Sequence, residues 1–289
     1  MPTPKTQKWT SKMESLYESE VHLKVTKHDL TTHTGHLNPL GFPYNHIQRN
    51  ILKSGRADFK KGYKHDDYGE IDKYDKALLY CYFNLRGHFH SSVAHFTMDK
   101  DYLLEELFED VPYIIDVGCG PATSALALAE VFPGEPFRYL GIDSALAMRD
   151  RGKTLTTAAQ RSGIIHKDST FSFYASWTAL PPIPKTAKVM FNFAFFFASD
   201  SLDDDALGTL AAKLTKIGEG QADRQAIISY TNSINPLSGV NYEKFLDVLE
   251  WEPKEGRTIE SVTYANSLTR GGAPKSQEYS RELYPAQFS

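Results

Sequence analysis

From residue 113 onward, short apolar runs alternate with stretches of helical spacing. The runs at 113–117, 138–143, 170–175, 188–195 and 225–230 are strand-length and rich in β-branched or aromatic residues. Between and after them, residues 123–132, 145–162 and 241–250 carry apolar positions at helical intervals. A further helix follows 188–195, capped by Ser201 in the capping-box pattern Ser201-Leu-Asp-Asp204. Two last extended segments, 259–266 and 277–284, flank the turn-rich Thr269-Arg-Gly-Gly-Ala-Pro and read as a hairpin. Five strand–helix repeats closed by a hairpin predict an α/β fold, a doubly wound and mostly parallel sheet of seven strands.

The first hundred residues follow another pattern. The spacing predicts helices over 10–23, 46–53 and 71–86, the last stopped by Gly87, and a further helix over 91–108. The first few residues read as disordered, and residues 54–70 as a charged, irregular stretch. Residues 1–100 therefore read as a helical N-terminal cap, and residues 101–289 as a separate α/β core.

Chemistry concentrates where the first core strand ends. Tyr113-Ile-Ile-Asp116-Val-Gly118-Cys119-Gly120-Pro-Ala122-Thr runs from a buried strand through a glycine-rich turn into a helix, and the second strand ends on Asp143-Ser144. Such a turn holds an adenosine-containing cofactor at the carboxyl ends of parallel strands. A dinucleotide fingerprint requires a third glycine where Thr123 stands. An acid, Asp116, stands instead two places before the first glycine.

Asp116-x-Gly118-x-Gly120-x-Ala122 resembles the first motif of the class I S-adenosylmethionine-dependent methyltransferases, with alanine in place of their common third glycine. The resemblance covers roughly residues 101–289. It implies that Asp116 helps to orient the aminoacyl end of the cofactor and that Gly118, Cys119, Gly120 and Ala122 form the cradle. It also implies that Asp143 accepts from both ribose hydroxyls, a task suited to a carboxylate, which offers acceptors only. Ser144, Met148, Ser176 and Trp177 then fall where the adenosine would lie. Asn192 at the fourth-strand tip, in Asn192-Phe-Ala-Phe195, takes the place of the Asn/Asp-Pro-Pro-aromatic motif of nucleobase amino-methyltransferases but lacks its prolines. Arg86 is a candidate for the cofactor carboxylate.

A methyl acceptor that loses a proton invites a base, for which Tyr44, His46, His88 and His90 are the candidates in the cap. Nine of the ten histidines precede residue 101, but none has metal-site spacing, so no metal is expected. Two cysteines, Cys81 and Cys119, exclude a disulfide framework. No apolar stretch approaches a bilayer span and no signal-peptide pattern opens the chain, so a cytoplasmic protein without membrane attachment is expected. The net charge of −4 conceals a split: residues 1–100 carry 15 Lys and Arg against 11 Asp and Glu. This mild excess falls short of a nucleic-acid footprint.

Together these features point to methyl transfer from S-adenosylmethionine to an oxygen or nitrogen nucleophile, by in-line displacement, on a small-molecule substrate. RNA, stacked on Tyr63, Tyr68 and Tyr74, is the alternative acceptor. A cofactor-binding regulatory or scaffold protein without catalysis is the other alternative.

Overall fold

The computed structural model describes residues 7–26, 39–53, 57–199, 202–221, 225–234, 236–249, 257–265 and 274–287. Its centre is a seven-stranded sheet. In chain order its strands are β3 (Tyr113–Val117), β4 (Arg138–Ile142), β5 (Thr170–Tyr174), β6 (Val189–Ala194), β7 (Gln225–Ser233), β8 (Thr258–Tyr264) and β9 (Lys275–Gln287). They lie side by side as β5-β4-β3-β6-β7-β9-β8. The first five are parallel, and β9 runs antiparallel to both β7 and β8. The strand order reverses between β3 and β6, where a doubly wound sheet opens its ligand crevice. The five parallel strands fall within two residues of their expected starts. β7 and β9 run longer than their apolar segments because polar residues extend the pairing along an antiparallel edge.

Helices cover both faces because the central strands β3, β4 and β6 are buried on both. One core layer joins Ile115, Val117, Phe191, Phe193 and Ile228 to α8 (Asp204–Glu219) and α9 (Pro236–Leu249). The other joins Ile114, Tyr139 and Met190 to α6 (Thr123–Val131) and to α5 (Lys100–Glu106). α7 (Leu146–Arg161) follows β4. The α8 cap expected at Ser201 lies outside the described residues; Asp203 caps the helix, its Oδ1 accepting from the Ala206 N–H at 2.8 Å.

The N-terminal region departs most from expectation. In place of two helices broken at Gly87 there is one helix of 26 residues, α4 (Lys73–Met98). Asp72 caps it, accepting from the N–H groups of Tyr74 and Asp75 at 2.7 and 2.8 Å. Gly87 sits inside this helix because there the helix meets the β8–β9 hairpin. A Cβ at 87 would lie 2.3 Å from Gln277 Oε1 and 2.9 Å from the Tyr264 hydroxyl. Glycine is a helix stop only when nothing needs its missing side chain.

α4 packs on α6, α7, β7, β8 and β9. Before it lie α1 (Ser11–Tyr17), a π-helical turn (Glu18–His22), α2 (Leu23–Thr26), α3 (Tyr44–His46) and a second π-helical turn (Ile47–Ile51). The stretch expected to be irregular contains a small hairpin of β1 (Tyr63–His65) and β2 (Gly69–Ile71). Tyr17, Val21, Val25, Phe42, Ile47 and Ile51 are buried against the outer face of α4, Leu78, Leu79, Tyr82 and Leu85 among it.

Candidate active site

β3 delivers its chain to a turn held in left-handed conformations. Gly118 has φ +72, Gly120 φ +49 and Ala122 φ +60. The N–H groups of Gly118 and Cys119 both donate to Ile142 O of the neighbouring strand, at 2.8 and 2.9 Å, so the loop is tied to β4. A Cβ on Gly118 would meet the Phe196 ring at 2.5 Å, whereas one on Gly120 would meet nothing within 4 Å. The Gly120 backbone therefore faces open space, which is what a cradle for a ligand requires. Ala122 carries left-handed strain that glycine would avoid, and full burial of its methyl against the α6 layer offsets it. Cys119 is buried in the same layer and serves as packing.

The two glycines make different predictions. Gly118→Ala combines positive-φ strain with displacement of Phe196 and should cost about 2 kcal/mol of stability. Gly120→Ala carries the strain without the clash and should cost about 1 kcal/mol, yet its methyl would project into the cradle. Urea unfolding of both variants checks the order; equal losses would mean that Phe196 does not press on the turn.

Asp143 lies against the same turn. Its Oδ2 accepts from the Gly120 N–H at 3.1 Å and its Oδ1 from the Ala145 N–H at 2.8 Å. Burial raises its pKa, while those two N–H donors and Arg149 oppose the shift. Each oxygen keeps a further acceptor direction for a ligand hydroxyl.

Asp116 sits deeper, with 1% of its surface exposed. It accepts from the Tyr139 hydroxyl and from Asn192 Nδ2 at 2.7 Å, and Ser124 also faces it. Burial lifts its pKa to about 6 against these three donors.

Above the turn, α4 and the end of β6 build a wall. The His88 ring stacks on Phe195 at 3.7 Å between centroids and 10° between planes. His88 Nδ1 pairs with the Tyr80 hydroxyl at 3.1 Å. Tyr80 in turn packs over Ala77, Ala145, Ala147 and Met148 and lies close enough to Asp143 to feel its charge. Phe195 holds φ +60, a strained conformation for an aromatic residue, at the tip of the strand beside the crevice. A line of groups thus runs from Asp143 past Tyr80 and His88 to Phe195. Burial depresses the His88 pKa to about 3, so its ring is neutral at neutral pH.

A parallel sheet that reverses at β3/β6, an acid–glycine–glycine turn after β3, an acid ending β4 and an antiparallel seventh strand inserted beside β7 form one arrangement. The fold is that of the class I S-adenosylmethionine-dependent methyltransferases. The sequence matches no protein-family model, and none of the curated proteins matches it. Among solved structures, the chain is similar to the YcgJ protein of Bacillus subtilis (12% identity over 68% of this chain and 97% of that one, TM-score 0.39). It is also similar to the plantazolicin methyltransferase BamL in complex with SAH (12%, 72% and 90%, TM-score 0.37). A third is CrArsM, an arsenic(III) S-adenosylmethionine methyltransferase from Chlamydomonas reinhardtii (13%, 67% and 72%, TM-score 0.37).

Within this methyltransferase fold the residues expected at the site divide. Asp116, Gly118, Cys119, Gly120, Ala122, Asp143 and the exposed Ser144 meet at the carboxyl ends of β3 and β4. Met148 is buried beside them. Ser176 caps a short turn, its Oγ accepting from the Thr178 N–H at 3.2 Å, and Trp177 packs half-buried against the β6–α8 layer.

Asn192 needs correction as a contact for cofactor or substrate. Its amide donates to Asp116 and, at 3.0 Å, to Ser124, and its oxygen accepts from Ser229 at 2.8 Å. With both amide hydrogens and the oxygen bonded inside the core, it braces Asp116 instead.

Arg86 is also corrected: it points to the opposite side of α4 from Tyr80 and His88. Its guanidinium pairs with Glu14 at 2.6 Å and lies over the rings of Trp9 and Tyr17 at 4.0 and 4.5 Å, clamping the N-terminal segment. His90 shares that side, bonded to Gln7 at 3.2 Å and stacked on Tyr264, and so cannot act as the base. His46 is tied to Tyr63 at 2.8 Å within a cluster of Phe42, His65 and Tyr68. Tyr44 is exposed and packs edge-on against Phe83. Of the four base candidates only His88 adjoins the crevice.

Three residues of this site carry no signal that singles them out from local spacing: Tyr80, Ser124 and Tyr139. Asn192 and Ser229 are detectable as polar residues in otherwise apolar strands, but Tyr139 reads as an ordinary strand aromatic. Among the described residues, no group of three His, Cys, Asp or Glu side chains is placed to hold a metal ion, and no helix is long and apolar enough to cross a membrane.

Proposed function

We propose that the protein binds S-adenosylmethionine and transfers its methyl group to a small-molecule nitrogen or oxygen nucleophile. The observation that carries this reading is the open Gly120 backbone facing the Asp143 carboxylate, a fit for an adenosyl ligand that has no pyrophosphate. S-adenosylmethionine supplies an electrophilic methyl group on a sulfonium centre. The chain would hold the ribose hydroxyls with Asp143, orient the aminoacyl end with the turn braced by Asp116, and keep water from the crevice with Tyr80, His88 and Phe195. Positioning and desolvation are sufficient help for so reactive a donor.

The wall favours a compact acceptor with an aromatic or apolar body, because stacked rings leave few polar directions. A neutral His88 with a pKa near 3 offers an acceptor lone pair but little pull on a proton. It therefore suits a nucleophile that is already competent at neutral pH, such as an amine, and that releases its proton after transfer. The N-terminal aromatics speak against RNA. Tyr63 is bonded to His46 and Tyr68 stacks on His65 at 4.6 Å, so they are engaged with one another and not arrayed for bases.

Calorimetric titration with S-adenosylmethionine, S-adenosylhomocysteine and NAD tests the reading. Micromolar binding of the first two with none of NAD is expected; a preference for NAD would replace methyl transfer with hydride transfer.

A further inference from the structure

A row of polar groups crosses the middle of an otherwise apolar sheet. Asp116 on β3 is in register with Asn192 on β6, and Asn192 with Ser229 on β7. Residues in register across parallel strands point to the same face, and here that face is covered by α4 and α6. His95 from α4 completes the row, its Nε2 pairing with Ser229 Oγ at 3.0 Å. Behind it Arg281 on β9 donates from Nε to His95 Nδ1 at 2.9 Å and also pairs with Asp99 at the end of α4. His95 and Ser229 are wholly buried, and Asn192 is 1% exposed.

The chemistry gives this chain one direction. Arginine can only donate, so His95 Nδ1 accepts and the ring proton sits on Nε2. Nε2 then donates to Ser229, whose hydroxyl donates to Asn192 Oδ1. That fixes the amide with its nitrogen toward Asp116 Oδ1. The carboxylate and Ser124 select the amide nitrogen on one side and the hydroxyl secures the amide oxygen on the other, so without the hydroxyl the amide is held from one side only. Buried polar groups are costly unless fully bonded; this set is bonded end to end and terminates at the acid of the cofactor turn.

We propose that His95 and Ser229 are positioning residues for the cofactor site, bracing Asp116 through Asn192 from α4 and from two strands away. Only the binding measurement below rests on the S-adenosylmethionine reading.

The titratable and hydrogen-bonding neighbours of Asp116 are Tyr139 from β4, Ser124 from α6, Asn192 from β6, and Cys119 and Asp143 beside the turn. Those of His95 are Arg281 and Ser229. Burial, reinforced by Arg281, holds His95 well below its ordinary pKa, so the donor sequence is set in its neutral form.

Two measurements test the proposal. The first follows the Asp116 carboxyl by carbon NMR titration in the ligand-free protein. Ser229→Ala and His95→Leu should raise its pKa by about half a unit as the amide donor, no longer braced from behind, loosens its bond to the carboxylate. His95→Gln, which can accept from Arg281 and donate to Ser229, should restore the wild-type titration. The second is the dissociation constant for S-adenosylmethionine. Ser229→Ala should weaken binding about fivefold alone and by less than about twofold in an Asp116→Asn background, since both changes act through the same carboxylate.

An unmoved Asp116 titration in Ser229→Ala and His95→Leu, or equal binding losses in both backgrounds, overturns the relay. A wild-type protein that binds no S-adenosylmethionine overturns the function proposed above while the NMR titration still decides the relay.

Discussion

Asp143→Ala should lower affinity for S-adenosylmethionine by about 2–3 kcal/mol, or roughly 30- to 150-fold in dissociation constant. A charged acceptor serving two hydroxyls is lost, and so are the bonds from the Gly120 and Ala145 N–H groups that hold the turn against α7. Asp143→Asn separates the two effects, because an amide oxygen can still accept one of those N–H groups but presents donors where the ribose needs acceptors. It should lose less stability than Asp143→Ala while losing most of the same affinity. The raised pKa of Asp143 adds a pH signature. Protonation removes the acceptor, so wild-type affinity should fall as pH drops through that raised value, and the acid limb should be absent from Asp143→Ala. Unchanged affinity in a folded Asp143→Ala protein would remove the ribose assignment.

Asp116→Asn should move stability and affinity in opposite directions. Burial lifts the Asp116 pKa from 3.8 to about 6, so the folded protein disfavours the charged form. Below about pH 4 the carboxyl is protonated in both folded and unfolded chains and carries no penalty. As pH rises through about 4 to 6 the unfolded chain releases its proton more readily, and stability is lost until the penalty is complete above about pH 6. Each tenfold weakening of acid strength corresponds to about 1.4 kcal/mol, which puts that penalty on the order of 3 kcal/mol. An asparagine avoids it: its oxygen can accept from Asn192 and its amide can donate to the Tyr139 hydroxyl. Urea unfolding should therefore find Asp116→Asn more stable than wild type at about pH 7 and equal to it at about pH 4. Cofactor binding should weaken about tenfold, since the charge at the base of the turn is gone. Equal stability at neutral pH would mean that the three donors fully offset the buried charge. A stabilised variant would make Asp116 an example of stability given up to hold a charge in a functional site.

How much was legible in the chain differs between its two parts. From residue 113 to 230, strand length, glycine placement and helical spacing are local properties, and the strands of the parallel sheet appear where that spacing put them. The turn from Asp116 to Ala122 was legible for the same reason: glycines and an acid at fixed offsets are a backbone requirement written in adjacent residues. The N-terminal hundred residues were harder because their structure answers to distant partners. Gly87 reads as a stop until Gln277 and Tyr264 are seen filling the place of its side chain. Arg86 reads as an anion-binding residue until Glu14, Trp9 and Tyr17 surround it.

The sequence by itself determined the doubly wound core, the glycine-rich turn and Asp143 at the end of β4, because each depends on contacts within a few residues or on one strand-to-helix unit. Only the tertiary structure decided that α4 runs unbroken across the sheet and that His88 alone among the candidate bases lies against Phe195. It also decided that Asn192 faces inward to Asp116. Those outcomes depend on which side of a long helix meets the sheet and on the register between strands far apart in the chain, and neither is expressed in local spacing.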